Sequence, residues 1–485
     1  MSNDKSGDVL LVFPGKFKSP HPQIPLSLLH LASFLMRDKF QVRLLDLRLE
    51  KIDESKIGNP LFVGISSIHS SQLHFGLEFA KKMRDSDSSI PIVWGGVHPT
   101  LLPEQTVSSK FADIVVRGKG EATIVELARA LKSSKPLDSV KGITYKEGEA
   151  IKKTPDQPLI DLDTIPIELP FNLLHLDKYP TLKSGRFHIQ TSRGCPHGCS
   201  FCYNTVYNKR LWRGKSAKRV VDEIEYVLEN FPKVNIIDPI DDNFFVDRDR
   251  VESICRRIIE RRITIRWRAN CRFDYMSQYS KEFIELLAKS GCAEVDFGGE
   301  TGSNRLQSLI NKEVTTSQII QSVENLKKWA PSIEPFVSWM SGLPTETEED
   351  LEKTCNLMDR MSEINPKTQH YGIFLYTPFP SPILDSLGPT FVAPQTLDDW
   401  GKAEMFHFSP PWHSKKYVQR LQAVSYVSMY AFYPRSRIKE HSIPYRIGYG
   451  ILNEIARYRW KKRFFRFPIE LKIANAAMRK RREYL

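Results

Sequence analysis

Long apolar runs, cysteine and a secretion signal are the features that this sequence lacks or has little of. It contains no run of about 18 or more predominantly apolar residues, so we expect no membrane-spanning helix. Seven cysteines in 485 residues are too few and too unevenly spaced for a secreted disulfide framework, which favours a reducing compartment. The first residues show no charged-then-apolar signal pattern. These absences predict a cytoplasmic protein.

Negative charge is scarce only near the end of the chain. The sequence has 70 Lys and Arg against 57 Asp and Glu, and residues 435–485 carry +11 of the net charge of +13. The nearly neutral remainder disfavours nucleic acid as a partner of the protein as a whole. Aromatic residues interleave with the basic ones in this tail. Such a pattern suits peripheral contact with an anionic membrane, an acidic substrate or RNA, and equally a solvated helix whose aromatic side chains pack on the protein.

The length and composition predict more than one folded domain. A chain of this size exceeds what one hydrophobic core usually supports, and 41% hydrophobic with 26% charged residues is typical of a globular protein. Residues 8–130 alternate short apolar runs with amphipathic segments, which predicts a doubly wound, Rossmann-like parallel sheet of about five strands. Ligands of such sheets bind beyond the C-terminal strand ends, so we expect a site at the loops 14–22, 66–71, 95–99 and 117–121.

A second alternation follows a connecting segment that contains a hairpin pattern and a proline-rich stretch. Six apolar runs then alternate with helix-length segments, which favours a partial (β/α) barrel over a second flat sheet. These runs, the predicted barrel strands, are 187–191, 234–238, 263–267, 293–297, 333–337 and 368–374. The last part of the chain lacks this alternation and is predicted to be mainly helical. Its rigid, aromatic segment 406–412 is expected to close the barrel mouth. The predicted division of this α/β chain is therefore 1–140, 141–185, 186–400 and 401–485.

Three cysteines in the loop after the first barrel strand form the most specific motif. Cys195, Cys199 and Cys202 follow the spacing C-x3-C-x2-C. Three thiolates from one short loop can hold three corners of a cubane iron–sulfur cluster and leave the fourth iron open for chemistry. The alternatives are unrelated thiols or structural zinc. Zinc needs a fourth ligand, and only His197 lies within the loop, where it is poorly placed to join the cysteines.

With the aromatic Phe201 before its last cysteine, this loop resembles that of the radical S-adenosylmethionine (SAM) superfamily. The resemblance implies a [4Fe-4S] cluster whose open iron holds the amino and carboxylate groups of SAM. It implies one-electron cleavage of SAM to methionine and a 5′-deoxyadenosyl radical, with an electron donor such as flavodoxin or ferredoxin as a partner. It also implies a partial (β/α)6 barrel, in agreement with the six apolar runs.

Further segments that resemble the superfamily lie at the C-terminal ends of the predicted strands, where barrel sites form. They are residues 241–245, 298–303, 341–346 and 376–380. Glu300 is the candidate partner for the ribose hydroxyls or the ammonium of SAM, although a charge at a helix N-terminus would also explain it. Gly298 and Gly299 would permit close approach of the backbone, and Ser341 would flank the adenine. The acidic pair that opens the first segment suits substrate or SAM contacts and helix caps equally.

Placed before such a barrel, the N-terminal sheet resembles the cobalamin-binding domain of the cobalamin-dependent radical SAM enzymes. The matching stretches are 25–32, 94–104 and 116–121. His21 lacks the Asp and Gly that accompany an axial histidine in better-known cobalamin folds, so the resemblance implies cobalamin without a protein histidine on cobalt. Small residues and hydroxyls could line the groove for the long nucleotide tail of cobalamin. The candidates are Ser66, Ser67, Gly95 and Gly96.

These resemblances, more than any single residue, imply a function. We expect a cobalamin-dependent radical SAM enzyme that methylates an unactivated carbon, or phosphorus, of a small or lipid-like substrate through methylcobalamin. One alternative is radical ring closure without methyl transfer, as in the anaerobic magnesium-protoporphyrin cyclase. Another is an RNA- or membrane-binding protein whose cluster is structural. A tRNA methylthiotransferase is disfavoured, because it would carry a second three-cysteine site and this chain has no cysteine before Cys195.

Overall fold

The computed structural model describes residues 6–17, 19, 22–52, 57–68, 70–383, 391–403, 408–432 and 443–474. Two sheets dominate this part of the chain, one near its beginning and one in its middle. A parallel strand can follow another only after a crossover, and the amphipathic helices between the apolar runs supply these crossovers. Helices cover both faces of the first sheet, which is why its inner strands are apolar almost throughout. The helices of the second sheet cover only its outer face.

The N-terminal sheet has seven strands in the order β2-β1-β3-β4-β5-β6-β7. Its strands are β1 (Ser6–Phe13), β2 (Gln41–Asp46), β3 (Pro60–Ser66), β4 (Ile92–Gly95), β5 (Ile114–Val116), β6 (Ile143–Glu147) and β7 (Ala150–Lys153). Its helices are α1 (Leu26–Arg37), α2 (Ser70–Ser86), α3 (Val97–Leu101), α4 (Pro103–Ser108) and α5 (Glu121–Lys132). The first five strands are parallel, which confirms the predicted doubly wound sheet.

The hairpin predicted in the connecting segment is present, but it belongs to this first sheet. Strand β6 pairs antiparallel with β5 and β7 pairs antiparallel with β6. Ile143 and Tyr145 on β6 are buried in the sheet's core, whereas β7 is exposed throughout. The sequence pattern indicated the hairpin and did not indicate its partner, because antiparallel pairing with a distant strand leaves no local signal.

A 3-10 helix at Leu137–Ser139 precedes β6. Three further 3-10 helices and one helical turn lead from this sheet to the barrel, at Leu162–Thr164, Phe171–Leu173, Leu176–Lys178 and α6 (Pro180–Lys183).

The second sheet has six parallel strands in the order β15-β14-β13-β12-β11-β8, which confirms the predicted partial (β/α)6 barrel. Its strands are β8 (Arg186–Ile189), β11 (Ile236–Pro239), β12 (Arg266–Cys271), β13 (Cys292–Glu300), β14 (Glu334–Ser341) and β15 (Gln369–Leu375). The helices between them are α7 (Asn204–Tyr207), α8 (Ala217–Asn230), α9 (Arg248–Glu260), α10 (Phe273–Gln278), α11 (Lys281–Lys289), α12 (Asn304–Leu309), α13 (Thr316–Trp329) and α14 (Glu348–Ile364), with a 3-10 helix at Phe244–Val246. Alternate strand residues, Phe297 and Trp339 among them, pack in the main core, which leaves the intervening residues for the barrel interior.

A two-stranded antiparallel ribbon, which the sequence did not suggest, flanks the cysteine loop. It consists of β9 (Ser192–Gly194) and β10 (Trp212–Gly214). The ribbon joins the two ends of the segment that contains the cysteines, so that this segment closes on itself at the mouth of the barrel.

The C-terminal extension is helical where the structure describes it, as predicted. Its helices are α15 (Leu397–Lys402), α16 (Lys415–Phe432) and α17 (Ile443–Lys461). Leu397 and Trp400 of α15 join the core of the N-terminal sheet, whereas α16 and α17 join the core of the barrel. In the described ranges no helix is both long enough and apolar enough to span a bilayer. The predicted division of the chain into four segments remains a prediction.

Candidate functional site

The three predicted cluster ligands lie in one loop between β9 and α7, beyond the C-terminal end of β8. Cys199 is buried, and Cys195 and Cys202 are partly buried. Burial raises the pKa of the Cys195 thiol, and it raises the pKa of Cys202 to about 12. Both thiols are therefore protonated in the free protein, and a metal that binds them must displace their protons.

The donor set of this loop fits a cluster better than a single ion. Among the described residues, no three His, Cys, Asp or Glu side chains converge closely enough to hold one metal ion. A cluster instead takes one thiolate on each of several irons. His197, the only candidate for a fourth zinc ligand, is engaged elsewhere: its Nε2 lies 2.6 Å from the Tyr275 hydroxyl and its Nδ1 lies 3.5 Å from a Glu313 oxygen.

The acidic pair after β11 braces the cysteine loop. The buried Asp241 carboxylate accepts hydrogen bonds from the Thr191 amide and the Ser192 hydroxyl, both at 2.7 Å. Asp242 accepts from the Gly194 amide at 2.8 Å. The sequence left this pair open between ligand contacts and helix caps. It does not cap the following helix, α9, whose N-cap is Asp247.

Two side chains that sequence reasoning missed point at the cluster sulfurs. The Arg272 guanidinium lies 3.6 Å from Cys199 Sγ, and the Asn243 amide nitrogen lies 3.8 Å from Cys195 Sγ. Both residues are buried. Hydrogen bonds to the thiolates are one of the factors that set the reduction potential of an iron–sulfur cluster. No local signal marks Arg272, whose contact with the loop exists only in the folded barrel.

Glu300, the predicted SAM contact, forms a buried ion pair at the end of β13. Its Oε1 lies 2.7 Å from Nζ of Lys312, and both side chains are at most 12% exposed. Although burial alone would lower it, the neighbouring carboxylate holds the pKa of Lys312 above its usual range. The pairing with Lys312 replaces the alternative in which Glu300 complements a helix N-terminus. Glu300 has a φ of 57°, in the left-handed region that non-glycine residues adopt infrequently.

Gly298 and Gly299 leave room for protein groups around this pair. A Cβ on Gly298 would lie 2.2 Å from Glu300 Oε1, and a Cβ on Gly299 would lie 2.9 Å from the Trp339 ring. The carbonyl of Gly299 accepts a hydrogen bond of 2.7 Å from the Gln307 amide. Their predicted role, close approach of the backbone to SAM, remains a prediction.

The loop after β14 meets the cysteine loop through a small apolar cluster. Phe201 packs there against Leu343 and Tyr376. The hydroxyl of Ser341 is buried and has no hydrogen-bond partner in the described structure. An unpaired buried hydroxyl beside an apolar wall fits the adenine predicted here, because such a group usually has a partner.

The loop after β14 is held in place by hydrogen bonds with Glu346 and Trp412. The Glu346 carboxylate accepts from the backbone amides of Gly342 (2.5 Å) and Leu343 (3.0 Å), and burial raises the pKa of Glu346 to about 8. The Trp412 indole donates to the Gly342 carbonyl at 3.0 Å. The aromatic segment 406–412, expected to close the barrel mouth, thus lies on this loop through Trp412. Residues 406 and 407 lie outside the described residues.

A cavity opens between the N-terminal sheet and the cysteine loop, where the sequence predicts cobalamin. Its lining combines apolar and polar side chains, which suits a ligand that carries both apolar and hydrogen-bonding groups. The lining includes Leu28, Leu31, Val93, Ile124, Ser66, Gly95, Gly96, Gly118, Lys119, Glu121, Gln190, Arg193 and Tyr207. Three of the four predicted residues are therefore present, whereas Ser67 is buried beside the cavity.

The expected loops contribute unequally to this cavity. The strand ends near 66, 95 and 118 line it as predicted. Of the loop 14–22, no described residue contributes to its lining, and helix α1 takes that place. Helix α1 packs on the same face of the sheet as α5, so its side chains reach the cavity from the side. His21 lies outside the described residues.

A buried charge cluster joins this cavity to the cysteine loop. Arg193, two positions before Cys195, forms an ion pair of 2.6 Å with Glu121. Although burial alone would raise it, the Arg193 guanidinium lowers the pKa of Glu121 to about 2. Close by, burial lowers the pKa of Lys119 to about 7, and its amine lies 4.1 Å from the centre of the Tyr207 ring. Residues on both sides of the cysteines thus line the cavity.

Gly96→Ala is expected to destabilise the protein by roughly 1–3 kcal/mol and to abolish retention of hydroxocobalamin. Gly96 has a φ of 100°, and a Cβ there would lie 2.4 Å from the Ser67 carbonyl oxygen. For thermal unfolding the matched control is Gly95→Ala, whose Cβ would meet nothing closer than 3.7 Å. Gly95 itself lines the cavity, so this variant is not a control for cobalamin retention. Thermal unfolding and the absorbance of cobalamin that co-elutes in gel filtration measure the two effects. Equal destabilisation by both variants would show that the clash is not the cause.

Two known protein families match this chain, one in the region of each sheet. The model of the radical SAM superfamily matches residues 189–358, and that of the B12 binding domain matches residues 16–128. An uncharacterised methyltransferase of Pyrococcus horikoshii is 32% identical over 70% of this chain and 73% of its own length. The anaerobic magnesium-protoporphyrin IX monomethyl ester cyclase of Rubrivivax gelatinosus is 28% identical, and the match spans 64% of this chain and 55% of the cyclase.

The fold has a counterpart among solved structures. The cobalamin-dependent SAM radical enzyme OxsB, solved with aqua-cobalamin and SAM, superposes with a TM-score of 0.72 over 98% of this chain and 75% of OxsB, at 17% identity. That likeness concerns the fold. Together with the two family models and the extent of the Pyrococcus match, it leads to one conclusion. The chain belongs to the cobalamin-dependent radical SAM enzymes, whose cofactors are a [4Fe-4S] cluster, SAM and cobalamin.

Proposed function

We propose that this enzyme is a methyltransferase that transfers a methyl group to an unactivated carbon, or to phosphorus, of a small or lipid-like substrate. The observation that carries the proposal is the position of the cavity. Gln190 and Arg193 precede the cysteines and Tyr207 follows them, and all three line the cavity between the two sheets. The Pyrococcus relative, itself named a methyltransferase, supports the same direction.

Each cofactor would be held by residues from a different part of the fold. Cys195, Cys199 and Cys202 would hold the cluster, and Glu300 would hold SAM together with Ser341. Phe201 and the glycines at 298 and 299 would complete the SAM site. Ser66, Gly95 and Gly96 would surround the nucleotide tail of cobalamin, with Ser67 buried behind them. When bound, these cofactors supply a carbon-centred radical and a transferable methyl group. The protein contributes orientation and exclusion of water, for which the aromatic cover around Trp412 is suited.

We propose two kinds of partner for this reaction. A one-electron donor such as flavodoxin or ferredoxin would reduce the cluster. A small or lipid-like substrate would enter at the barrel mouth. The cytoplasmic location predicted above also remains a prediction. The second candidate function is radical ring closure without methyl transfer, which the similarity to the Rubrivivax cyclase favours.

Labelled SAM separates these two functions. The reconstituted, reduced holoenzyme is incubated anaerobically with SAM that carries a deuterated methyl group and with extracts of small molecules and lipids. Methyl transfer to an unactivated carbon predicts S-adenosylhomocysteine from the SAM that gives up its methyl, 5′-deoxyadenosine from a second SAM that takes up the substrate hydrogen, and a product that carries the labelled methyl. Ring closure predicts 5′-deoxyadenosine and a product that has lost hydrogen and gained no label. The second result would contradict the methyltransferase proposal and leave the family assignment unaffected.

A further inference from the structure

The last described helix presents apolar side chains on a face that nothing in the described structure covers. Ile447, Ile451, Ile455 and Tyr458 on α17 are 62%, 59%, 36% and 63% exposed. Their spacing of four, four and three residues places them on one stripe of the helix. Surface residues of this kind are normally scattered singly, so a continuous stripe indicates a binding surface.

The opposite face of α17 is the one that packs on the protein. Tyr449, Asn453, Ala456 and Trp460 are buried, with the same kind of spacing. The Trp460 indole donates to Asp359 on α14 at 2.7 Å. The tail thus does pack aromatic side chains on the barrel, which was one of the expectations from its sequence. Packing explains this face and leaves the exposed stripe unexplained.

The exposed apolar surface continues past the helix and carries positive charge. Phe464, Phe467, Ile469 and Ile473 are at least 50% exposed. Basic residues interleave with both stretches; those exposed are Arg457, Lys461, Lys462, Arg466 and Lys472. We call the eight apolar and five basic residues the tail surface. The basic residues 479–482 follow it in sequence, outside the described residues.

We propose that the tail surface docks the enzyme on an anionic lipid bilayer. An apolar stripe bordered by Lys and Arg is the pattern of helices that lie in the membrane interface, where the apolar side chains enter the acyl region and the basic ones meet anionic headgroups. Five of the eight apolar side chains are isoleucines, which have no aromatic ring on which a base could stack. This composition fits acyl chains better than the bases of RNA. The complementary charge argues for lipid over an uncharged partner.

Vesicle flotation with the reconstituted holoenzyme tests this surface. Wild type is expected to float with vesicles of phosphatidylglycerol and phosphatidylcholine and to bind pure phosphatidylcholine at least tenfold more weakly. The triple variant Ile447→Ser/Ile451→Ser/Ile455→Ser is expected to weaken binding to the anionic vesicles by roughly tenfold or more, because three apolar anchors are lost. Lys461→Glu/Lys462→Glu is expected to weaken it as well and to reduce its dependence on salt.

A matched control replaces exposed apolar residues elsewhere. Ile151→Ser/Ile259→Ser/Leu309→Ser removes three side chains of 40%, 42% and 43% exposure on other elements and should bind vesicles as wild type does. SAM cleavage should be unchanged in all variants, which keeps this proposal distinguishable from the proposed methyl transfer. The proposal is overturned if wild type does not float, or if the stripe variant floats equally well. It is also overturned if gel filtration shows a dimer that the stripe variant abolishes, or if RNA and not lipid is retained.

Discussion

Cys199→Ala is expected to abolish cleavage of SAM to 5′-deoxyadenosine. Cys199 is the most buried of the three loop cysteines, and Arg272 donates toward its sulfur. Loss of this thiolate removes one of three protein ligands, so the cluster should not assemble with an open iron for SAM. Liquid chromatography of anaerobic, reduced reactions measures the product, and iron analysis should find about four irons per wild-type chain.

Cys255→Ala is the matched control for this experiment. Cys255 is a fully buried cysteine of α9 in the apolar core of the barrel, and burial raises the pKa of its thiol to about 12. Its removal should leave the iron content and the rate of SAM cleavage close to wild type. Cleavage that persists in Cys199→Ala, or a wild-type chain that binds no cluster, would contradict the assignment of the three loop cysteines.

Lys312→Met is expected to lower the free energy of unfolding by about 3–5 kcal/mol, because it leaves the Glu300 carboxylate buried without its partner. The double variant Lys312→Met/Glu300→Gln should recover much of this loss, since it removes both charges. Urea unfolding of the cluster-free chain measures all variants under the same conditions.

Lys353→Met provides the contrast. Lys353 forms an ion pair of the same length, 2.7 Å, with Glu349, but both side chains lie in solvent. Water and salt screen such a pair, so this variant should unfold like wild type. Equal stability of Lys312→Met and Lys353→Met would show that water reaches Glu300.

SAM binding by Glu300→Gln, measured by calorimetry on the holoenzyme, tests the proposed role of Glu300. Unchanged affinity for SAM would contradict that role.

The elements and the cysteine loop were predictable because their signals are local. The apolar run 41–46 is a strand with those bounds, and the six runs of the barrel correspond to its six strands. Cys195, Cys199 and Cys202 stand within eight residues, so their proximity does not depend on distant parts of the chain. Strand ends were less accurate: the third barrel run was expected at 263–267, whereas β12 is Arg266–Cys271.

The partners of the predicted residues were not predictable, because they come from distant positions. Glu121 meets Arg193 across 72 residues, and Cys199 meets Arg272 across 73. The aspartates after β11 brace a loop about 50 residues earlier. Residue type and spacing do not encode such pairs when each partner belongs to a different strand end.

By itself the sequence determined the class of chemistry, since three closely spaced cysteines and two alternating βα patterns are local properties of the chain. It also located the positive charge in the last 51 residues. Only the tertiary structure decided that residues on both sides of the cysteine loop line the cavity of the first sheet, and that Glu300 forms an ion pair with Lys312. It also decided that the tail packs one face on the barrel and leaves the other exposed, because burial depends on which elements meet in space.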